Sequence, residues 1–410
     1  MDLSKGLSGA FANAPGIVRS AFVHYDVSDP VEHLARALGV SGDPSAGNET
    51  APEFELVILF VSSDADCAPL IKSAKERFAP AQVVGCTTAG EISQAGYASG
   101  EIVAVAFPRA HFAARIILIP DLDLYDPQTV IEQMIRNRHD MMREEPDWGS
   151  EFTFLLIDGL STREDELTSD LAVGLGPVPL FGGSAGDGVD FGQTFLLHDG
   201  QAHSNAAVLM QLRTNCPIKV FKTDHLIPTE TRMVVTGANP EKRTVHEINA
   251  EPAAREYARM LGKDPEQLNT FTFAAHPVVV RIGGQHHVRS IQRVADNGDL
   301  VFFSAIDEGL VLTLAEPQNM VTHLEQEIAA LSVGGPPDTI LACDCLLRRM
   351  EAQQKQMTRP ISRILAENRV VGFSTYGEQL NSMHVNQTLT GVAIYPPPPK
   401  ASDATEPEQT

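Results

Sequence analysis

Unbroken apolar runs in this chain reach no more than six residues, and the first of that length, Leu56 to Val61, heads a pattern in which strand and helix periods alternate. Residues 54–61 read as a short buried strand, 64–78 carry apolar side chains at helical spacing, and 81–85 return to strand, a β-α-β opening. Strands at 102–107, 113–119 and 152–158 and helices at 127–142 and 163–173 continue the alternation. Residues 179–181 then read as a short strand, 182–188 as a glycine-rich bend, and 194–197, 205–212 and 218–223 as hairpin-like strands. Farther on, a helix opened by Pro252 covers 252–261, strands fall at 278–282, 288–294, 300–304, 340–345, 370–376 and 389–395, and long helices at 318–331 and 346–367. The expected class is α/β, mixed α+β, with β-sheets flanked by helices.

A length of 410 residues exceeds one ordinary core and suits two large domains. The pattern breaks at 237–242, Gly-Ala-Asn-Pro-Glu-Lys, which divides the chain into an N-terminal extension (1–29), a first domain (30–238), a second (239–395) and a tail (396–410). That tail begins with four prolines and is expected to be extended and disordered. No apolar run approaches the roughly 18–20 residues of a membrane span, and residues 1–21 hold Lys5 and Arg19 with no continuous apolar stretch between them, so no secretory signal is read there. Five cysteines, an odd number, fit thiols in a reducing cytoplasm. A formal charge of −22 argues against nucleic acid and anionic membrane as partners. Nothing in the sequence fixes the oligomeric state, and a homo-oligomer remains open.

Four segments could carry chemistry. In Gly85-Cys86-Thr87-Thr88-Ala89-Gly90-Glu91-Ile92 the thiol has no basic neighbour to activate it, which favours a packed core cysteine. Phe181-Gly182-Gly183-Ser184-Ala185-Gly186-Asp187-Gly188 lacks the Lys-Ser/Thr ending of a phosphate loop and reads as a turn. Cys343-Asp344-Cys345 closes a strand; its sulfurs are expected on opposite faces, and a zinc site would need two further ligands. Arg348 and Arg349 follow, able to reach a ligand carboxylate although such pairs usually face water. The richest segment is 372–390, two strands flanking a loop dense in polar side chains, where His384 stands out. A neutral imidazole is a good axial ligand for haem iron, yet from spacing alone a lone histidine beside a strand is more often a hydrogen-bonded structural residue. His276, His286 and His287 have no metal-type spacing and read as structural or surface groups.

Taken in order, residues 85–92, 182–187, 252–261 with Tyr257 and Gly262, and 372–390 resemble the motifs of paired FIST N and FIST C domains, over about residues 30–395. The resemblance implies a two-domain FIST architecture, with 30–238 as FIST N and 239–395 as FIST C. Gly-Phe-Ser-Thr-Tyr-Gly-Glu-Gln, then Met-His-Val-Asn-Gln-Thr, together with Asp344-Cys345-Leu346-Leu347-Arg348-Arg349, look like the NosP type of that family. That type implies a stand-alone, non-enzymatic haemoprotein that binds nitric oxide and regulates a histidine kinase or a cyclic-di-GMP enzyme, with effects on biofilm. Gly-Gly-Asp-Glu-Phe and Glu-Ala-Leu signatures are absent from the sequence, so output in trans is expected. By the same resemblance His384 is the preferred ligand of a non-covalent haem b, Cys345 as thiolate is the reserve, and Arg348, Tyr376, Glu378 and Asn386 complete the cofactor site. Haem is expected to be non-covalent because Cys-x-x-Cys-His is absent. The alternative is a haem-free sensor in which Glu378, Asn381 and Arg348 recognise a small ligand such as an amino acid. An enzyme using Cys86 or Cys345 as nucleophile ranks below both.

Overall fold

The computed structural model describes residues 11–12, 16–40, 53–282 and 284–398; the readings for 1–10 and 399–410, and with them most of the expected tail, lie outside the described residues. Strand Phe54–Ser62 organises the first half. Its Leu56, Ile58 and Phe60 face a central core, while Val57, Leu59 and Val61 face helices Pro30–Ala37 and Cys67–Arg77. Burial on both faces explains why the run is continuously apolar instead of alternating. The strand pairs in parallel with Gln82–Thr88 through the intervening helix, as the β-α-β reading requires.

Three sheets surround the central core. The N-terminal sheet runs in the order 11–12, 19–24, 101–108, 54–62, 82–88, 196–198, 201–203. A middle sheet runs 383–385, 378–380, 180–184, 150–157, 207–214, 112–119, and a C-terminal sheet 218–223, 389–394, 339–345, 370–375, 91–93, 96–98. Phe60 of the first stacks on Phe373 of the third at 4.8 Å and meets Phe154 of the second edge-on at 6.5 Å, and Phe154 stacks on Phe181 at 4.7 Å. This aromatic column joins all three sheets through pairs whose geometry adds about 0.5–1.5 kcal/mol each beyond area burial. Helices Pro127–Glu144 and Glu164–Leu175 cover the outer face of the middle sheet, and Met320–Leu331 and Thr358–Glu367 that of the C-terminal sheet.

The halves of the chain exchange strands. Residues 91–93 and 96–98 extend the C-terminal sheet, and 378–380 and 383–385 extend the middle one. Between them, residues 226–317 form a fourth sheet with its own core around Met233, Val245, Tyr257, Phe302 and Leu312. The segment 237–242, read as a change of domain, falls at the hairpin joining Leu226–Asn239 to Thr244–Ile248, inside this fourth sheet. The stretch read as an N-terminal extension includes Arg19–His24, a fully paired strand. Among the described residues no helix is long and apolar enough to cross a membrane.

Three local readings change for physical reasons. Gly182 and Gly183, expected in a bend, lie in strand Leu180–Ser184, where a Cβ would come 2.3 Å from the Leu155 carbonyl oxygen and 2.7 Å from Phe373 Cζ. They are there for close approach of neighbours, a second use of glycine that sequence reading confuses with turning. The helix expected over 346–367 is two, Leu346–Gln354 and Thr358–Glu367, separated where Gln356 takes φ 57°. The polar loop expected within 372–390 is a buried hairpin, Glu378–Leu380 and Met383–Val385, whose first strand pairs antiparallel with Leu180–Ser184.

Gly372 gives a direct test of this packing. It takes φ 152°, and a Cβ there would lie 1.8 Å from the Ala342 carbonyl oxygen of the neighbouring strand. Gly372→Ala is expected to lower stability by about 3 kcal/mol or more, because neither backbone can move without disturbing the sheet. Urea unfolding followed by circular dichroism measures it, and a loss below about 1 kcal/mol contradicts this packing.

Candidate functional site

The hairpin 378–385 and the residues after it meet the fourth sheet and the start of helix Glu164–Leu175 in a closed junction. His384 lies across from Gln379 in the hairpin register and is 3% exposed. Asn386 Nδ2 donates to His384 Nε2 at 3.3 Å, and Nδ1 finds no partner among the described residues. A Cβ on Gly377 would sit 2.4 Å from Nε2, so a glycine there makes room for the ring. Burial lowers the imidazole pKa; Asp165 and Glu164 oppose that and Arg243 and Arg289 add to it, leaving a neutral ring. Asn386 Oδ1 is also unpartnered. With the amide turned over, Nε2–H would donate to Oδ1 and Nδ1 would present a bare lone pair, the form that binds metal.

The opposite wall comes from the fourth sheet. Arg243 donates to Glu164 Oε2 at 2.7 Å, Asp165 Oδ2 at 3.1 Å, and the carbonyls of Thr162 and Phe303. Arg289 keeps its Nε unpartnered, as Ser290 and Ser304 do their hydroxyls. Gln387 Nε2 donates to the Ala274 carbonyl at 3.2 Å and closes one end. Beside it, Leu160, Phe191, Phe303, Leu346, Met350 and Tyr376 form an apolar cluster in which Tyr376 lies 4.6 Å from Phe191 between ring centres. The Tyr376 hydroxyl is held by Asp187.

The expected site residues therefore separate. His384 and Asn386 touch, and Tyr376 borders them through Gly377. Glu378 points away from His384, toward Thr388, whose N–H and Oγ1 donate to its Oε2 at 3.2 and 2.7 Å. Arg348 and Arg349, expected to face water, are both buried. Arg348 donates to Asp344 Oδ1 at 2.7 Å and His225 Nδ1 at 2.8 Å, which leaves it no reach to the junction. Arg349 is held by the Ala98 carbonyl and Ser99 and packs over the Tyr97 ring. Asn381 is the hairpin turn, at φ 52°, with its side chain accepting from the Leu180 N–H.

Cys343 and Cys345 do not diverge: residues two apart in a strand share a face, and both thiols feel the Glu378 carboxyl. Burial pushes both thiols well above their usual range, which favours the protonated form while no metal is bound. Cys86 is likewise buried and pushed up by burial, unsuited to nucleophilic attack. No cluster of three or more His, Cys, Asp or Glu able to hold a metal ion occurs among the described residues. Gln387, Arg289, Ser290 and Ser304 were not singled out by sequence reading. Gln387 at least belongs to the Met-His-Val-Asn-Gln-Thr run, whereas the other three come from a sheet with no motif to mark them.

Burial raises the Glu378 carboxyl well above its usual range; the bonds from Thr388 oppose that shift and Asp344 reinforces it, so the group holds its proton at neutral pH. A carboxyl raised in the fold stabilises fully below its unfolded pKa of about 4.3 and loses that contribution as pH rises. Glu378→Gln keeps the shape and does not titrate. Its melting temperature is expected to match the parent near pH 5 and exceed it by several degrees at pH 8.5, whereas a gap independent of pH would mean that Glu378 is ionised in the fold.

Comparison with known families adds to this geometry. A FIST N domain matches residues 55–251 and a FIST C domain matches 253–381, meeting within the fourth-sheet unit. No curated protein matches the chain. The two matches follow the order of the sequence motifs and include the far wall with Arg243 and Arg289, whereas His384, Asn386 and Gln387 lie just beyond the end of the FIST C match. The chain belongs to the FIST family of sensor domains in signal transduction.

Proposed function

We propose that this sensor takes its input at the His384 junction and passes it in trans to a histidine kinase or a cyclic-di-GMP enzyme in the cytoplasm. The observation that carries the reading is a buried, neutral imidazole with one ring nitrogen that has no partner among the described residues. Its surroundings suit a non-covalent haem b. His384 is the axial ligand, Asn386 selects the ring tautomer, Arg289 pairs with a propionate, and the cluster around Phe191, Phe303 and Tyr376 offers an apolar surface to the ring system. A haem there would supply an iron with an open side for nitric oxide. The hairpin is pinned by the pairs Phe181 with Leu380, Gly182 with Gln379 and Gly183 with Glu378. Movement therefore falls to the 226–317 unit, which must swing from His384 for any ligand to enter.

A second reading is favoured by the unpaired Asn386 Oδ1 and Gln387 Oε1, acceptors that suit the donors of a small polar ligand such as an amino acid, without haem. The absorption spectrum of the full chain after haem reconstitution separates the two. A Soret band that shifts on reduction and again with nitric oxide is expected, lost in His384→Ala and kept with several-fold weaker haem affinity in Arg289→Ala. A band and gas response that survive in His384→Ala remove His384 from the role. No band in the parent protein transfers the reading to the haem-free sensor, for which thermal shift against amino acids is the assay.

A further inference from the structure

The fourth sheet carries a second feature, on the face turned away from its core. Strands Gln285–Arg289, Val278–Ile282, Val311–Pro317 and Leu226–Asn239 lie side by side in that order. A groove of about 670 Å³ crosses them, lined among others by Arg232, Arg281, His286, Thr229 and Thr313 above an apolar strip at Leu310 and Val311. Val234 stands opposite Val311 in the register, and the two are 39% and 46% exposed. Large apolar side chains this exposed, side by side on a sheet, mark a contact surface more often than isolated ones do.

The charges in the groove are unusual for this chain. Its formal charge is −22, yet Arg232 and Arg281 make no ion pair among the described residues, although most of the described arginines outside this sheet are paired. Glu230 is the acidic group on the rim. Arg281 lies directly across from His286, and Arg232 faces Thr313 one strand beyond Arg281's own strand pairing. Arg232 and Arg281 are thus two strands apart and offset by two residues along them, about 12 Å at the usual strand spacings. Two carboxylates four residues apart in an extended chain share a face and are separated by about 13 Å, at 3.3 Å per residue. We infer that this groove docks an extended acidic segment of a partner protein, its carboxylates on Arg232 and Arg281 and apolar side chains between them on Val234 and Val311. Bidentate arginine–carboxylate pairing supplies the register, and the groove is independent of what occupies the His384 junction.

The test uses the full chain and a fluorescein-labelled peptide with glutamate at every fourth position and valine and threonine between. Anisotropy is expected to show saturable binding that weakens as salt rises from 50 to 300 mM. The double variant Arg232→Glu, Arg281→Glu should lose at least tenfold in affinity with an unchanged melting temperature, while Arg255→Glu, an exposed arginine elsewhere on the same unit, changes it less than twofold. No binding at 50 mM salt overturns the inference. So does an equal loss in Arg255→Glu, which reduces the effect to general charge. Sedimentation showing that the double variant breaks a dimer assigns the groove to a second copy of the chain instead, and displacement of the peptide by millimolar inorganic phosphate assigns it to a small anion.

Discussion

The fold rests on a buried line of charge that ties its separate parts together. Tyr97, on a strand contributed by the first half, donates to Asp344 at the end of a central strand. Asp344 holds Arg348, Arg348 donates to His225, and His225 Nε2 donates to Glu351, which Lys355 caps from the partly exposed end. Burial alone would lower the Arg348 pKa, but Asp344 and Tyr97 outweigh it and the group stays charged. His225 is kept neutral by burial in spite of its bond to Glu351, so it accepts on Nδ1 and donates on Nε2. Removing one member of such a line leaves an uncompensated buried charge, worth about 3–5 kcal/mol against a total stability of about 5–15 kcal/mol. The line spans the exchanged strand, the C-terminal sheet and the point where the chain enters the fourth sheet. Those three register with one another because the charges have nowhere else to go.

Periodicity made the local elements legible and left their assembly hidden. Strands 218–223 and 278–282 were readable to the residue, because their ends carry turn or proline signals and their apolar content is high. Strand exchange was not legible. Residues 91–98 carry no strand reading, yet they cross to the other half, and nothing in so short a run says which sheet it will join. The run 372–390 misled in the opposite direction. Its polar side chains suggested a solvated loop, but Glu378, Gln379, His384, Asn386, Gln387 and Thr388 are all buried. Each of these side chains finds a partner for one of its polar atoms, yet Glu378 Oε1, Gln379 Oε1, His384 Nδ1, Asn386 Oδ1 and Gln387 Oε1 have none among the described residues, so polarity alone did not tell a solvated loop from a buried site.

The same reasoning explains which part of the candidate site was readable. His384 and Asn386 are two residues apart in sequence and in contact in space, so a motif could contain both. Arg348 stood in an equally recognisable motif and proved to belong to the charge line, since a motif marks a constrained position without saying whether a ligand or the fold imposes the constraint. The far wall, Arg243 and Arg289 with Phe303, comes from another sheet and is brought to His384 by tertiary packing alone.

That far wall also decides how a signal could leave the site. The three-sheet body is locked by the aromatic column and by strands shared between halves, and offers little freedom short of unfolding. The 226–317 unit has its own core and is joined to the body by two chain crossings, a small apolar cluster and the polar contacts of Arg243 and Gln387. Hydrogen bonds and ion pairs exchange readily for water, whereas a shared core does not. A ligand that takes over the partners of Arg243 or Gln387 therefore acts on the weaker of the two boundaries. The outward face of the same unit carries the Arg232 and Arg281 groove, so a rigid displacement of that one sheet opens the junction and carries the groove with it, its lining unchanged. Coupling between them requires no pathway of side chains through the body, only one sheet whose position both faces share.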